Sequence, residues 1–253
     1  MQTRQSTRKT APAAAASGAD DTAALDQAFE TLETYDWGAD RQALLPLEDA
    51  VVAALGNAEA RTDLEARLAA VLESGASRDA KDVVCRQLRI LGTAGSVPAL
   101  ARLLPDENLS HMARFALERI EDPAAGAALR SALPKVSGAL KAGVAGSLGA
   151  RRDTAAVPSL MELLAAEDAA VVTAVAAALG AIATPEAASA LTAAVEKAPA
   201  TARAALIDGA LRAAEALEAA GKEAEATAVY KALAGDDLPE HVKLAVSRGL
   251  SEA

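Results

Sequence analysis

The chain has 253 residues, 52% of them hydrophobic but only 2% aromatic, with one cysteine and a net charge of −10 at pH 7. That length can bury a large core, the lone cysteine excludes an internal disulfide framework, and the negative balance argues against a nucleic-acid partner. Alanine makes up the bulk of the apolar content, which suits closely spaced helices and not strands built from β-branched and aromatic residues.

Residues 1–19, rich in Thr, Ser, Gln and Ala, lack the apolar periodicity of a folded segment and are expected to form a disordered tail. Within it, TRQSTRKT at residues 3–10 resembles the start of histone H3, TKQTARKS. Thr3, Gln5, Arg8 and Lys9 are identical and Arg4 is a conservative change. The resemblance implies that Lys9 would be a modified or reader-bound residue; a plain basic arm is the competing reading. The stretch APAAAASGA lacks the leucine-like hydrophobicity of a signal peptide. No run of 18 apolar residues exists to span a membrane. The expected location is therefore cytoplasmic, or exported if a leader has been removed.

From Asp20, DDTAALDQAFETL reads as an amphipathic helix, YDWGADR as a turn, and QALLPLEDAVVAALG as a second helix. Residues 20–61 are expected to cap a repeat array, with Tyr35 and Trp37 covering its apolar end; an exposed binding pair is the competing reading. The pairs Asp20–Asp21 and Asp236–Asp237 are expected at helix starts, where carboxylates are favoured.

A thirteen-residue phrase then recurs at 88–100, 117–129, 148–160 and 179–191, at intervals of 29, 31 and 31 residues. Each copy opens on a leucine: Leu88, Leu117, Leu148 and Leu179. Five residues on stands Thr93, Asp122, Asp153 or Thr184, residue types that cap helix N-termini. Pro123 and Pro185 directly follow two of them, where a missing N–H costs nothing. Leu100, Leu129, Leu160 and Leu191 close the phrase. Before the opening leucines run the stripes Ala80/Val84/Leu88, Leu109/Ala113/Leu117, Leu140/Val144/Leu148 and Val171/Val175/Leu179. Each is apolar at i, i+4 and i+8, one face of a helix. Every unit is thus a helical hairpin that cannot bury its own apolar face, so neighbours must stack.

Residues 200–253 read as a long helix, ATARAALIDGALRAAEALEAAG, then KEAEATAVYKALAG and PEHVKLAVSRGL. AEALEAAGKEAEATAVYKAL resembles a tetratricopeptide helix pair, but its single copy is treated as a divergent final repeat.

VPALARLLPDENLSHMARFALERI and VPSLMELLAAEDAAVVTAVAAALGAI resemble HEAT repeats of the short bacterial form, and the likeness extends over about residues 62–199. It implies a right-handed α-α superhelix, with Pro98 and Pro158 as the prolines that bend the first helix of many such repeats. The family serves scaffolds, adaptors and a few enzymes, so function must come from a site.

Chemistry is sparse. His111 and His241 lie in different repeats, and with Cys85 they make a poor transition-metal set. The repeated His-Glu dipeptides of the HEAT-like deoxyhypusine hydroxylases are absent. Cys85 lacks a histidine placed to activate it and reads as a packing residue. Gly143, Gly146 and Gly149, three apart on one helix, are expected to allow close helix contact. No catalytic residue, metal or cofactor is assigned. Charge is uneven, however: residues 78–152 hold 12 Lys and Arg against 7 Asp and Glu. Lys81, Arg86, Arg89, Arg114 and Lys141 are the candidate partner-binding residues, a basic strip for an acidic peptide or protein segment. The expected function is a non-enzymatic protein-interaction scaffold working through its concave face. A HEAT-type enzyme or ligand binder, like a bilin lyase or DNA glycosylase, and a histone-tail mimic are the alternatives.

Overall fold

In the computed structural model, which describes residues 13–235 and 238–252 with side chains from residue 20 to residue 251, every regular element is helical. The repeated phrase explains why. Each opening leucine lies in the last two turns of one helix, a capped turn follows, and the closing leucine sits inside the next helix.

Three helices precede the first full phrase: α1 (Ala13–Glu33), α2 (Leu45–Ala54) and α3 (Ala58–Glu73). Hairpins follow: α4 (Arg78–Leu91) pairs with α3, α5 (Val97–Arg102) with α6 (Ser110–Leu117), and α7 (Pro123–Ala132) with α8 (Gly138–Ala150). Next come α9 (Val157–Glu162) with α10 (Ala169–Ile182), α11 (Pro185–Val195) with α12 (Ala200–Ala219), and α13 (Glu223–Leu233) with α14 (Glu240–Glu252). Helices α4, α6, α8, α10 and α12 pack in sequence as one layer. The contacts α3–α5–α7 and α9–α11–α13 make the other. The chain is an all-α solenoid.

The shared seam is apolar throughout. Leu88, Leu117, Leu148 and Leu179 are each 0% exposed, as are Leu100, Leu129, Leu160 and Leu191. Each fully buried leucine contributes roughly 1.5–3 kcal/mol. The preceding stripes are buried with them, except Leu140, which is half-buried against the same core. Small residues set the helix spacing. A Cβ on Gly149 would lie 2.6 Å from the Ala178 Cα, and one on Gly180 would lie 2.6 Å from the Gly209 carbonyl oxygen. Backbones of α8, α10 and α12 therefore meet without side chains between them, which accounts for the alanine-rich composition.

Capping divides into local and cross-repeat forms. Asp122 accepts from the Ala124 N–H at 2.8 Å and Thr184 from the Ala187 N–H at 3.1 Å, as their positions predict. Thr93 and Asp153 do otherwise. Asp153 accepts from Arg130 of α7, an ion pair within one hairpin-to-hairpin junction. Thr93 gives its N–H and hydroxyl to the Glu65 carboxylate of α3, at 2.6 and 2.7 Å, and the Ser96 N–H adds a third bond at 2.9 Å. Glu65 thus caps the turn of the following repeat. Arginines close the opposite ends: Arg61 donates to the Leu91 and Gly92 carbonyls, and Arg151 to those of Leu117, Ile120 and Asp122. Except for that of Asp122, the N-cap of α7, these are carbonyls at or just past a helix C-terminus, which the helix itself leaves unsatisfied.

Burial alone would raise the Glu65 pKa, but the hydrogen bonds from Thr93 and Ser96 outweigh it and hold the carboxyl below the usual carboxylate range. A depressed folded pKa gives stability that is full above the unfolded pKa and is lost as pH falls through the folded value. Glu65→Ala is therefore expected to cost about 2–3 kcal/mol near neutral pH, having stripped buried donors of their acceptor. The cost should shrink in acid. Urea titrations at about pH 7 and about pH 2 check this, and an equal cost at both would contradict it.

Four expectations need correction. The helix expected from Asp20 begins at Ala13, so Asp20 and Asp21 stand within α1 and not at its start. Tyr35 is buried, but Trp37 is 63% exposed, because its N–H is held by Asp36 and Asp79 and the chain turns outward there. Pro98 and Pro158 occupy the first turns of α5 and α9, so they start helices and do not bend them. Of the three glycines on α8, only Gly149 makes backbone contact; Gly143 makes room for the Arg114 guanidinium, and Gly146 faces open space. Asp236 and Asp237 lie outside the described residues.

Candidate interaction surface

Helix register decides which side chains leave the layer formed by α4, α6, α8, α10 and α12. Two residues before each opening leucine stand Arg86, Phe115, Gly146 and Ala177; two after it stand Ile90, Arg119, Ala150 and Ala181. Of these, only Phe115 and Ala181 are half-buried and the rest are exposed. The face therefore changes character along the stack. Helices α4 and α6 present long, basic and apolar groups. On α8 and α10 the surface includes Ala139, Ala142, Gly146 and Ala150, then Ala170, Thr173, Ala177 and Ala181, with the half-buried Leu140 and Lys141 as the longer side chains at the start of α8. On α12, Asp208, Arg212 and Glu215 restore charge. A floor of small side chains lies between two charged margins.

The five basic candidates occupy four different registers of this layer. Lys81 and Lys141 both stand seven residues before their leucines and are half-buried. Arg86 is exposed and pairs with Asp82 one turn earlier, at 3.0 Å. Arg89 stacks over the Phe115 ring of α6, 4.3 Å from its centroid, and its buried Nε has no partner. Arg114 reaches the neighbouring helix, donating to the Gly143 carbonyl at 3.0 Å and the Ser147 hydroxyl at 3.3 Å. Ser147 in turn donates to Glu118 at 2.7 Å. Burial lowers the Arg114 pKa, against the Glu118 carboxylate that favours its charge. Arg114 is a cross-brace between α6 and α8 as well as a positive charge.

Sequence reasoning missed Ile90, Phe115 and Arg119, which share the exposed registers with Arg86. The signal was present in the spacing from each leucine, but charge alone was used to choose candidates. Thr3, Arg4, Gln5, Arg8 and Lys9 lie outside the described residues. His111 and His241 are both exposed, on α6 and α14. Among the described residues, no group of three or more His, Cys, Asp or Glu is arranged to hold a metal ion. Cys85 is fully buried, and its thiol pKa is pushed up to about 12 by burial, with Asp82 adding to the shift and Lys81 opposing it. The reactive thiolate is therefore suppressed. Among the described residues, no helix is long and apolar enough to cross a membrane.

Residues 128–210 match the family model for HEAT repeats. Among solved structures, a crystal structure of an engineered protein from the Northeast Structural Genomics Consortium aligns with 19% identity and a TM-score of 0.43. The alignment takes in 94% of this chain, which spans 65% of that protein. No curated protein matches the chain.

Proposed function

We propose that this chain, whose residues 128–210 match the family model for HEAT repeats, is a non-enzymatic scaffold that holds a partner protein along the face of the layer formed by α4, α6, α8, α10 and α12. The observation that carries the reading is the bare floor on α8 and α10. Eight outward positions there are held by Ala, Gly or Thr, so a partner's backbone or side chains can approach two helices closely. Stacked repeats offer their extended concave surface in this way. Lys81, Arg86, Arg89, Arg114 and Lys141 supply the positive charge beside that floor and favour an acidic partner segment through complementarity.

Gly146→Glu and Ala177→Glu test the reading. Both positions are exposed, and a side chain on Gly146 meets no atom within 4 Å, so the fold tolerates the change. Capture of the physiological partner, identified by crosslinking in the native host, is expected to fall at least tenfold with helicity unchanged. Undiminished capture by both variants would remove the inner face from consideration.

A further inference from the structure

We propose that the first three helices form a second, independent docking groove, whose occupant is a basic amphipathic helix of a partner protein. The groove of about 540 Å³ runs between α1, α2 and α3. Small or apolar residues line it from each helix: Leu25 from α1; Pro46, Ala50 and Ala53 from α2, with the Asp49 carboxylate among them; and Leu64 from α3. On α2 the spacing is i, i+3, i+4 and i+7, a continuous stripe along one side of the helix.

The same end of the chain is poorly covered. Of eight large apolar side chains exposed among the described residues, four belong to residues 20–61: Trp37, Leu45, Val52 and Leu55. Val52 on α2 is 70% exposed and Leu55, the residue directly after that helix, 52%; both lie beside the groove and not in its lining. Monomers seldom leave such groups clustered without a use.

Charge identifies the occupant. Residues 20–61 carry 10 Asp and Glu against 2 Arg, a net −8 out of −10 for the whole chain. Carboxylates in the lining of an apolar slot, here Asp21 and Asp49, favour a segment with aliphatic residues on one side and Lys or Arg on the other. Helix-in-groove recognition works through such i, i+3, i+4, i+7 anchors. The acidic field raises the association rate for cations and repels anionic segments. The groove therefore discriminates oppositely to the basic helices α4 and α6. One molecule would bridge two partners of opposite charge, and neither site depends on the other.

The test uses the full chain and a fluorescein-labelled peptide with Leu at i, i+3, i+4 and i+7 and Lys elsewhere, read by anisotropy. A second peptide carries Glu in place of Lys. The Lys peptide is expected to bind, to weaken at least tenfold in Asp49→Lys/Ala53→Lys, and to weaken with salt. Ala60→Lys, from the α3 side, should act in the same direction. Gly146→Glu/Ala177→Glu should leave peptide binding unchanged, which separates this groove from the inner-face reading. Equal binding of the Glu peptide, no binding of the Lys peptide, or indifference to both lysine variants would overturn the proposal. So would concentration-dependent dimerisation, seen by sedimentation without peptide and abolished by Asp49→Lys/Ala53→Lys, since the occupant would then be a second copy of the chain.

Discussion

Leu148→Ala is expected to lower the stability of the chain by about 3–5 kcal/mol. Leu148 is 0% exposed in α8, at the middle of the array, with repeats packed on both sides. Truncation removes the transfer free energy of the lost methyl groups, and the site cannot collapse to fill the space. Gly149 next to it already holds α10 at backbone contact, so α8 has no freedom to move inward. Urea unfolding followed by circular dichroism would show the midpoint shift. Leu117→Ala and Leu179→Ala should behave alike, because each leucine fills the same register of its own repeat. A loss below about 1 kcal/mol would mean that the position is solvated or easily repacked.

Gly180→Leu should cost about 3 kcal/mol, while Gly146→Ala should stabilise by about 0.8–1 kcal/mol. The contrast rests on what each new Cβ meets. At Gly180 it lies 2.6 Å from the Gly209 carbonyl oxygen and 2.9 Å from the Gly209 Cα, both backbone atoms of α12. Those atoms cannot rotate aside, so α10 and α12 must separate along their whole contact. At Gly146 nothing stands within 4 Å, and alanine's better helix propensity is gained without a clash. If both substitutions shifted the midpoint in the same direction, close backbone packing would not be what spaces the repeats.

The repeat architecture could be read from the sequence because its cause is local. A leucine every 29 to 31 residues, a capping residue five later and a stripe at i, i+4 and i+8 are all contained within one unit. Asp122 and Thr184 were legible as caps for the same reason. Thr93 and Asp153 were not, since their partners, Glu65 and Arg130, stand 28 and 23 residues earlier. Glu65 itself looks like an ordinary solvent-facing helix carboxylate until the next repeat closes over it. Charge alone did not show which way the basic side chains turn. Arg114 turns toward Gly143, and Arg89 toward Phe115, because half-buried guanidinium groups seek carbonyls and ring faces on the adjacent helix. The exposed floor of alanines was invisible for a simpler reason. In a chain this rich in alanine, exposed and buried copies look alike until helix register and neighbours separate them.

Amide hydrogen exchange across α4, α6, α8 and α10 tests the shared apolar seam most directly. The amides around Leu88, Leu117, Leu148 and Leu179 should be the slowest in the chain, and Leu148→Ala should speed exchange in α6 and α10 together with α8. Fast exchange at those four leucines, or an acceleration confined to α8, would contradict a seam held in common by stacked hairpins.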